Sequence, residues 1–491
     1  MSASNFSAKH RLSSRIAGIV GLAAIGLFAS AYMAGCEDKS TPNRSGTTGR
    51  GSETLPNMDV RGGDADSDIY LGVRTPQEGD GGDGGTITIL SNGGAITMSS
   101  AALTTVPPVP TFAGANGLDV PPGVDLGVSG LLSFDWINVQ AGGTLHVLRG
   151  TILTITGDVV IDGSVDGRGD DHALDGRDLT ITAGGILSVT GTINCSGGEH
   201  EKEDVAPTTI IDFAGGNGGD LVLTAQSAFI TGALKAEGGD TFSEAPDTAR
   251  PGRGGTITLT SSSTLAFSGR MSARGGFCYF PGTGIEADGG TITVTAQGAI
   301  EMGELREFNA SGGESSGPAA GDGGIISITS PGAITATDFD IEASGGRTTF
   351  SFDGIAGMGG TVTIDGGAVT TGQMDIDVSG GNSAEEDSGE GGKGGTLILN
   401  SQSLTVPTDV FLRAEGGRTL AGGVEGPEGG NVQIRVNGGG TSFAGTISVH
   451  GGKNAFGSFG PDGTICATGV DPASRLSIQG STGIVVPDCP P

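Results

Sequence analysis

The sequence predicts an all-β chain: a single right-handed parallel β-helix, or solenoid, of about ten coils with repeats of about 35 residues. A signal peptide and a flexible tether precede it. Three observations lead there. A Gly-Gly phrase returns at a fixed interval, branched aliphatic residues stand at fixed offsets from it, and polar residues separate them. Composition narrows the choice further. Of 491 residues, 96 are Gly, where a share of about 7% is usual. Gly does not recur every third residue, so collagen is excluded. The ordered alternation of Ile, Leu and Val excludes disorder of the whole chain.

Residues 1–35 read as an export signal. Lys9, His10, Arg11 and Arg15 form a basic lead before the apolar run from Ile16 to Ala34, the order of a secretory signal peptide. The run ends in Tyr32-Met33-Ala34-Gly35-Cys36. Small residues just before a Cys resemble the lipobox of bacterial lipoproteins, although Met33 stands where that family usually has Leu. The resemblance implies that Cys36 becomes the lipid-bearing mature N-terminus and anchors the chain to a membrane, with palmitate as a typical acyl group. It implies a location in the bacterial cell envelope, at the outer membrane or cell surface. An uncleaved membrane anchor is the other reading of this apolar run. Residues 36–80, rich in Ser, Thr, Gly, Pro and charge, read as a disordered tether.

Residues 81–491 carry the solenoid. Taking the second Gly of each pair, or its equivalent, as a marker gives Gly85, Gly143, Arg177, Gly219, Gly255, Gly290, Gly324, Gly360, Gly395 and Gly430. From Gly219 onward the intervals are 36, 35, 34, 36, 35 and 35 residues. Two residues after the markers stand Ile87, Leu145, Leu179, Leu221, Ile257, Ile292, Ile326, Val362, Leu397 and Val432. Four residues after them stand Ile89, Val147, Ile181, Leu223, Leu259, Val294, Ile328, Ile364, Leu399 and Ile434. The position between is mostly Thr or Ser, so these segments are strands with one buried face. A second short apolar segment follows a turn, as at Ala333-Ile334. A third ends at the next pair, with Ile193, Leu234, Met271, Phe308, Ile341, Ile376, Leu412 and Ile447 four residues before it. Two residues before it stand Cys195, Ala236, Ala273, Ala310, Ala343, Val378, Ala414 and Val449.

Three strands per repeat fit one coil of a β-helix, stacked about 4.8 Å from the next. The glycine pairs are expected to supply corners, through positive φ and close backbone approach. The polar remainder of each repeat is expected to project as a loop. A β-propeller also repeats at about 40 residues, but it needs four strands per blade. The repeat phrasing, with Gly-Gly before Thr-Ile-Thr at residues 254–258 and 289–293, resembles the Gly-rich β-helical passengers of bacterial surface proteins such as filamentous-haemagglutinin-type adhesins. That resemblance implies a structural or adhesive surface role, with a glycan or protein as ligand. The chain ends Asp488-Cys489-Pro490-Pro491, without the C-terminal barrel segment of autotransporters.

The ends are less regular. Pro107, Pro108, Pro110, Pro121 and Pro122 punctuate residues 101–142, read as an irregular cap or insertion around Trp136. Residues 463–491 read as the C-terminal cap, where Cys466 and Cys489 flank the last coil as a candidate disulfide of an exported protein. Cys195 reads as buried and unpaired. Cys278 lies two repeats on, about 10 Å along the axis, beyond disulfide reach.

Formal net charge is -30, which argues against nucleic acid as a partner. Acidic loops recur at Glu199, Glu201, Glu203 and Asp204, at Glu385, Glu386, Asp387 and Glu390, and at Glu425 and Glu428. They read as solvated flanks, with calcium binding by loop carboxylates as the alternative. Asp80 and Asp83 do not recur at the nine-residue spacing of a calcium roll. Asp338 and Asp340 read as ordinary outward residues. His146, His172, His200 and His450 lack metal-ligand spacing. Arg168-Gly169-Asp170 is the integrin-ligand tripeptide, expected by chance in so Gly- and Asp-rich a chain. Thr-x-Thr strands raise ice binding, but Val222, Ile398 and Gln433 interrupt the ladder. No catalytic residue, resident cofactor or metal site is assigned, and the chain is not read as an enzyme. The expected function is an exported, lipid-anchored β-solenoid acting as a structural or adhesive surface element. The alternative is a carbohydrate-active β-helix enzyme, a polysaccharide lyase or hydrolase. A column of acidic residues with Lys or Arg on neighbouring coils distinguishes the enzyme.

Overall fold

A computed structural model describes residue 114 and residues 116–470, except the segments 170–173, 200–213, 242–249, 280–286, 305–306, 350–353, 384–388, 421–424 and 439–440. It also gives the backbone of Ile69–Tyr70, Val73–Arg74, Ile96–Thr97 and Leu476–Gln479. Contacts divide the chain into residues 1–49 and 50–491, and the described residues all belong to the second unit. The signal segment, Cys36, the repeat at Ile87 and Ile89, Asp80, Asp83 and Cys489 lie outside the described residues.

The described residues are all β, without a helix. Ile69–Tyr70 and Val73–Arg74 form a separate antiparallel pair. From Gly117–Val120 to Thr291–Ala296 each strand pairs in parallel with the third strand after it. Thus Thr256–Ser261 pairs with Thr291–Ala296, Leu265–Phe267 with Ile300–Glu304, and Arg270–Ser272 with Glu307–Asn309. Such pairing is a solenoid of three strands per coil, with like residues stacked in columns. In the three coils between Ile325 and Arg413 the segments run together as single strands, Ile325–Glu342, Thr361–Asp377 and Thr396–Arg413.

The inward columns follow from the alternation in the sequence. Every described aliphatic at the second and fourth positions after a marker is buried, from Leu179 and Ile181 to Val432 and Ile434. The third-strand column from Ile193 to Ile447 is buried too, as is the small-residue column from Cys195 to Val449. Phe267 and Phe308 stack in this core with centroids 5.0 Å apart. One assignment shifts. Leu145 and Val147 are buried, but Thr144–Val147 pairs with Ser164–Asp166, and that strand pairs with Thr192–Asn194. Thr144–Val147 is therefore a third strand of its coil, whereas the sequence pattern aligned it with the first strands. Its coil has no long loop, so the glycine pair falls at a different corner while the aliphatic alternation is unchanged.

Short coils also explain residues 116–142. Where the prolines suggested irregularity, Gly117–Val120, Asp125–Val128, Leu131–Phe134 and Trp136–Val139 are strands of the stack. Gly117 pairs with Trp136, 19 residues on, and Ile137 with Val159, 22 residues on. These coils are closed by tight turns, several with positive-φ glycines such as Gly123, Gly130 and Gly142.

The glycine pairs of the long coils work differently. Among the described pairs only Gly142 has positive φ, so the expected left-handed corners are absent from all the others. Their requirement is close approach. A Cβ on Gly289 would lie 1.9 Å from the Ala310 carbonyl oxygen, and one on Gly254 would lie 1.9 Å from that of Ala273. The legs leaving and re-entering each coil are hydrogen-bonded to one another rather than projecting freely. Gly239 N–H donates to Gly216, Gly252 to Gly239 and Gly276 to Gly252, at 2.8–2.9 Å. The alternation continues through Gly346, Gly357, Gly381, Gly392 and Gly417. A backbone lattice this dense excludes side chains between its legs, which accounts for the recurring Gly-x-Gly-Gly phrase. Beyond the lattice the loops stay in register as bridges: Thr241 with Cys278, Cys278 with Ser315, and Ser315 with Thr348.

Candidate functional site

The third strands present two outward columns of side chains. One runs Arg270 beside Glu307, then Asp340 beside Asp375 on later coils. The other runs Ser272, Asn309, Glu342, Asp377 and Arg413. These residues are outward because their neighbours Phe308, Ile341, Ile376 and Leu412 take the core positions.

Arginines close both ends of the acidic patch. Arg270 Nε lies 2.9 Å from Glu307 Oε2. Arg413 Nη2 lies 2.9 Å from Asp375 Oδ1, and its Nε lies 3.1 Å from Asp377 Oδ2. Asn309 Nδ2 donates to Glu307 Oε1 at 2.6 Å, and Ser344 Oγ to Glu342 Oε1 at 2.8 Å. In the middle stands Asp340, which makes no hydrogen bond or ion pair with a described residue. Partial burial raises its pKa, and the charges of Asp375, Glu307, Asp338 and Glu342 raise it further. Burial also raises the pKa of Asp375, opposed by Arg413 and reinforced by Asp377 and Asp338. Neighbouring rungs lie about 4.8 Å apart. Asp340 and Asp375 thus both keep a proton to higher pH than an isolated carboxyl group does.

The sequence-derived candidates are dispersed. Cys466 is disulfide-bonded, and Cys489 lies outside the described residues. Cys195 and Cys278 are buried thiols. Burial pushes Cys195 up to about 12, assisted by Asp178, Asp166 and Asp220. His146 Nδ1 lies 3.7 Å from Asp166, and His450 Nδ1 lies 3.6 Å from Asp462. His172 and His200 lie outside the described residues, as do Glu201, Glu203, Asp204, Glu385, Glu386, Asp387 and Asp170. Arg168 pairs with Asp166 at 3.1 Å. Among the described residues no group of three His, Cys, Asp or Glu side chains is placed to hold a metal ion. The third-sheet carboxylates were readable as a repeat feature. Glu307, Asp340 and Asp375 each stand five residues before a glycine pair, and Asn309, Glu342 and Asp377 stand three before it.

No family model, curated protein or solved structure matches the chain.

Proposed function

We propose that the protein is an exported β-solenoid, anchored by lipid on Cys36 in the bacterial cell envelope, acting as a structural or adhesive element at the surface. The coils wind right-handed and number about ten. A Cys466–Cys489 disulfide staples the C-terminal coil, in keeping with an oxidising compartment. The observation that carries the reading is the parallel coil stack, which holds outward side chains in fixed rows along many coils. Repetition of weak contacts along such rows suits adhesion to a repetitive partner. Protease treatment of intact cells tests this: the reading expects loss of the full-length band, and complete protection would contradict it.

A carbohydrate-active enzyme is the second reading, favoured by the Glu307–Asp340–Asp375 row between Arg270 and Arg413. Glycosidic hydrolysis takes a pair of carboxyl groups flanking the scissile bond, and this row sets three carboxyl groups on successive rungs. A reducing-end assay over a polysaccharide panel tests it. This reading expects activity abolished by Asp340→Asn, and a hydrolytic activity untouched by that change would place catalysis elsewhere.

A further inference from the structure

A separate feature lies on the outer face of the second strands. There the outward column runs Ser188, Phe229, Ala266, Glu301 and Thr335, one residue per coil. Ala266 is small, so a hollow of about 460 Å³ opens over it, with Phe229 on one side and Glu301 on the other. Phe229 is 43% exposed because its neighbours Ala228 and Ile230 take the core positions. Glu301 is exposed and makes no ion pair or hydrogen bond with a described residue. The hydroxyl-bearing residues Thr231, Ser268, Thr335 and Thr337 also line it.

We propose that this hollow is a binding site for a glycan bearing a free, protonated amino group. Successive rungs are about 4.8 Å apart, so an ammonium group seated over Ala266 stands within reach of both neighbours. It meets the face of Phe229 inside the about 6 Å range of a cation–π contact, and the Glu301 carboxylate supplies the counter-charge. An aromatic face and a carboxylate select a cation, while the four hydroxyl-bearing residues give the hydrogen-bond partners that a sugar body needs and an alkylammonium ligand does not. The site deepens the adhesive reading, on which it rests, by naming the class of surface glycan contacted.

The test is calorimetric titration of the full-length chain with a short glucosamine oligosaccharide and with its N-acetylated counterpart. Free-amine binding is expected, with the N-acetylated oligosaccharide weaker by about tenfold or more. Glu301→Gln is expected to cost about tenfold and Phe229→Ala about fivefold. Asp365→Asn, on the first-strand face, is the control and leaves binding unchanged. Absence of binding overturns the proposal, and so does equal binding of the two oligosaccharides. Wild-type affinity in Glu301→Gln also overturns it, because the oligosaccharide would then be responding to the acidic chain as a whole. A lysine peptide competing as well as the amino sugar would overturn the sugar assignment. A chain protected from protease on intact cells, yet binding the amino sugar through Phe229 and Glu301, would sink the surface reading and leave this site standing.

Discussion

Arg413 reaches back one coil and clamps two carboxylates at once, Asp375 through Nη2 at 2.9 Å and Asp377 through Nε at 3.1 Å. Its own column runs back through Asp377 and Glu342, and in the neighbouring column Asp340, one coil beyond Asp375, faces only other carboxylates. The unlike surroundings of Asp340 and Asp375 set the chemistry of the third-sheet face.

Arg413→Ala removes that clamp and leaves Asp375 and Asp377 in mutual repulsion. The pairs are partly exposed, so the cost is modest, about 1 kcal/mol, and shrinks as salt is added. Urea titration at low and high ionic strength measures it. A loss independent of salt would mean that Arg413 acts through packing of its stem.

Asp340→Asn should stabilise the fold at neutral pH. The folded pKa of Asp340 is raised, so the native state holds its proton to higher pH than the unfolded chain and stability falls as pH rises through that window. Above it the ionised carboxylate is a net cost; below the unfolded value, about 3.9, both states are protonated and the difference vanishes. Melting temperatures of wild type and variant across this range should converge in acid. A gap that stays constant down to pH 3 would count against the electrostatic origin.

Gly289→Ala inserts a methyl group 1.9 Å from the Ala310 carbonyl oxygen and 2.7 Å from the Gly324 nitrogen. Both are backbone atoms of the lattice and cannot swing away. A destabilisation of about 3 kcal/mol is expected, concentrated in the adjoining coils because a solenoid couples mainly nearest neighbours. Hydrogen exchange should show lost protection around residues 287–313 first. Unchanged exchange there would show that the lattice accommodates a side chain.

Thiol counting examines the cysteines together. With Cys36 capped by lipid and Cys466 joined to Cys489, Cys195 and Cys278 alone react after denaturation without reductant. In the native state Cys195, buried and with its pKa at about 12, should resist maleimide at pH 7 because almost no thiolate is present. Rapid native labelling of Cys195 would contradict its core position.

How much of this was legible depended on which atoms carried the signal. Ile257 and Leu259, or Ile341 and Ala343, declared the inward face because burial selects side chains at period two. The lattice joining Gly239, Gly252 and Gly276 left only glycines in the sequence, and a glycine does not say whether it serves a left-handed turn or a close approach. Leu145 and Val147 carried the right alternation for two different strands, and only pairing with Ser164–Asp166 decided between them. Glu307, Asp340 and Asp375 stood at one offset in three repeats. Their significance came from stacking, which brings residues more than thirty positions apart onto adjacent rungs.

The functional account turns on the anchor, and mass spectrometry of the mature N-terminus tests it most directly. The account predicts a first peptide beginning at Cys36 with added diacylglyceryl and acyl mass, lost when Cys36 is replaced by Ser. A membrane-bound protein with an unmodified Cys36 would contradict it.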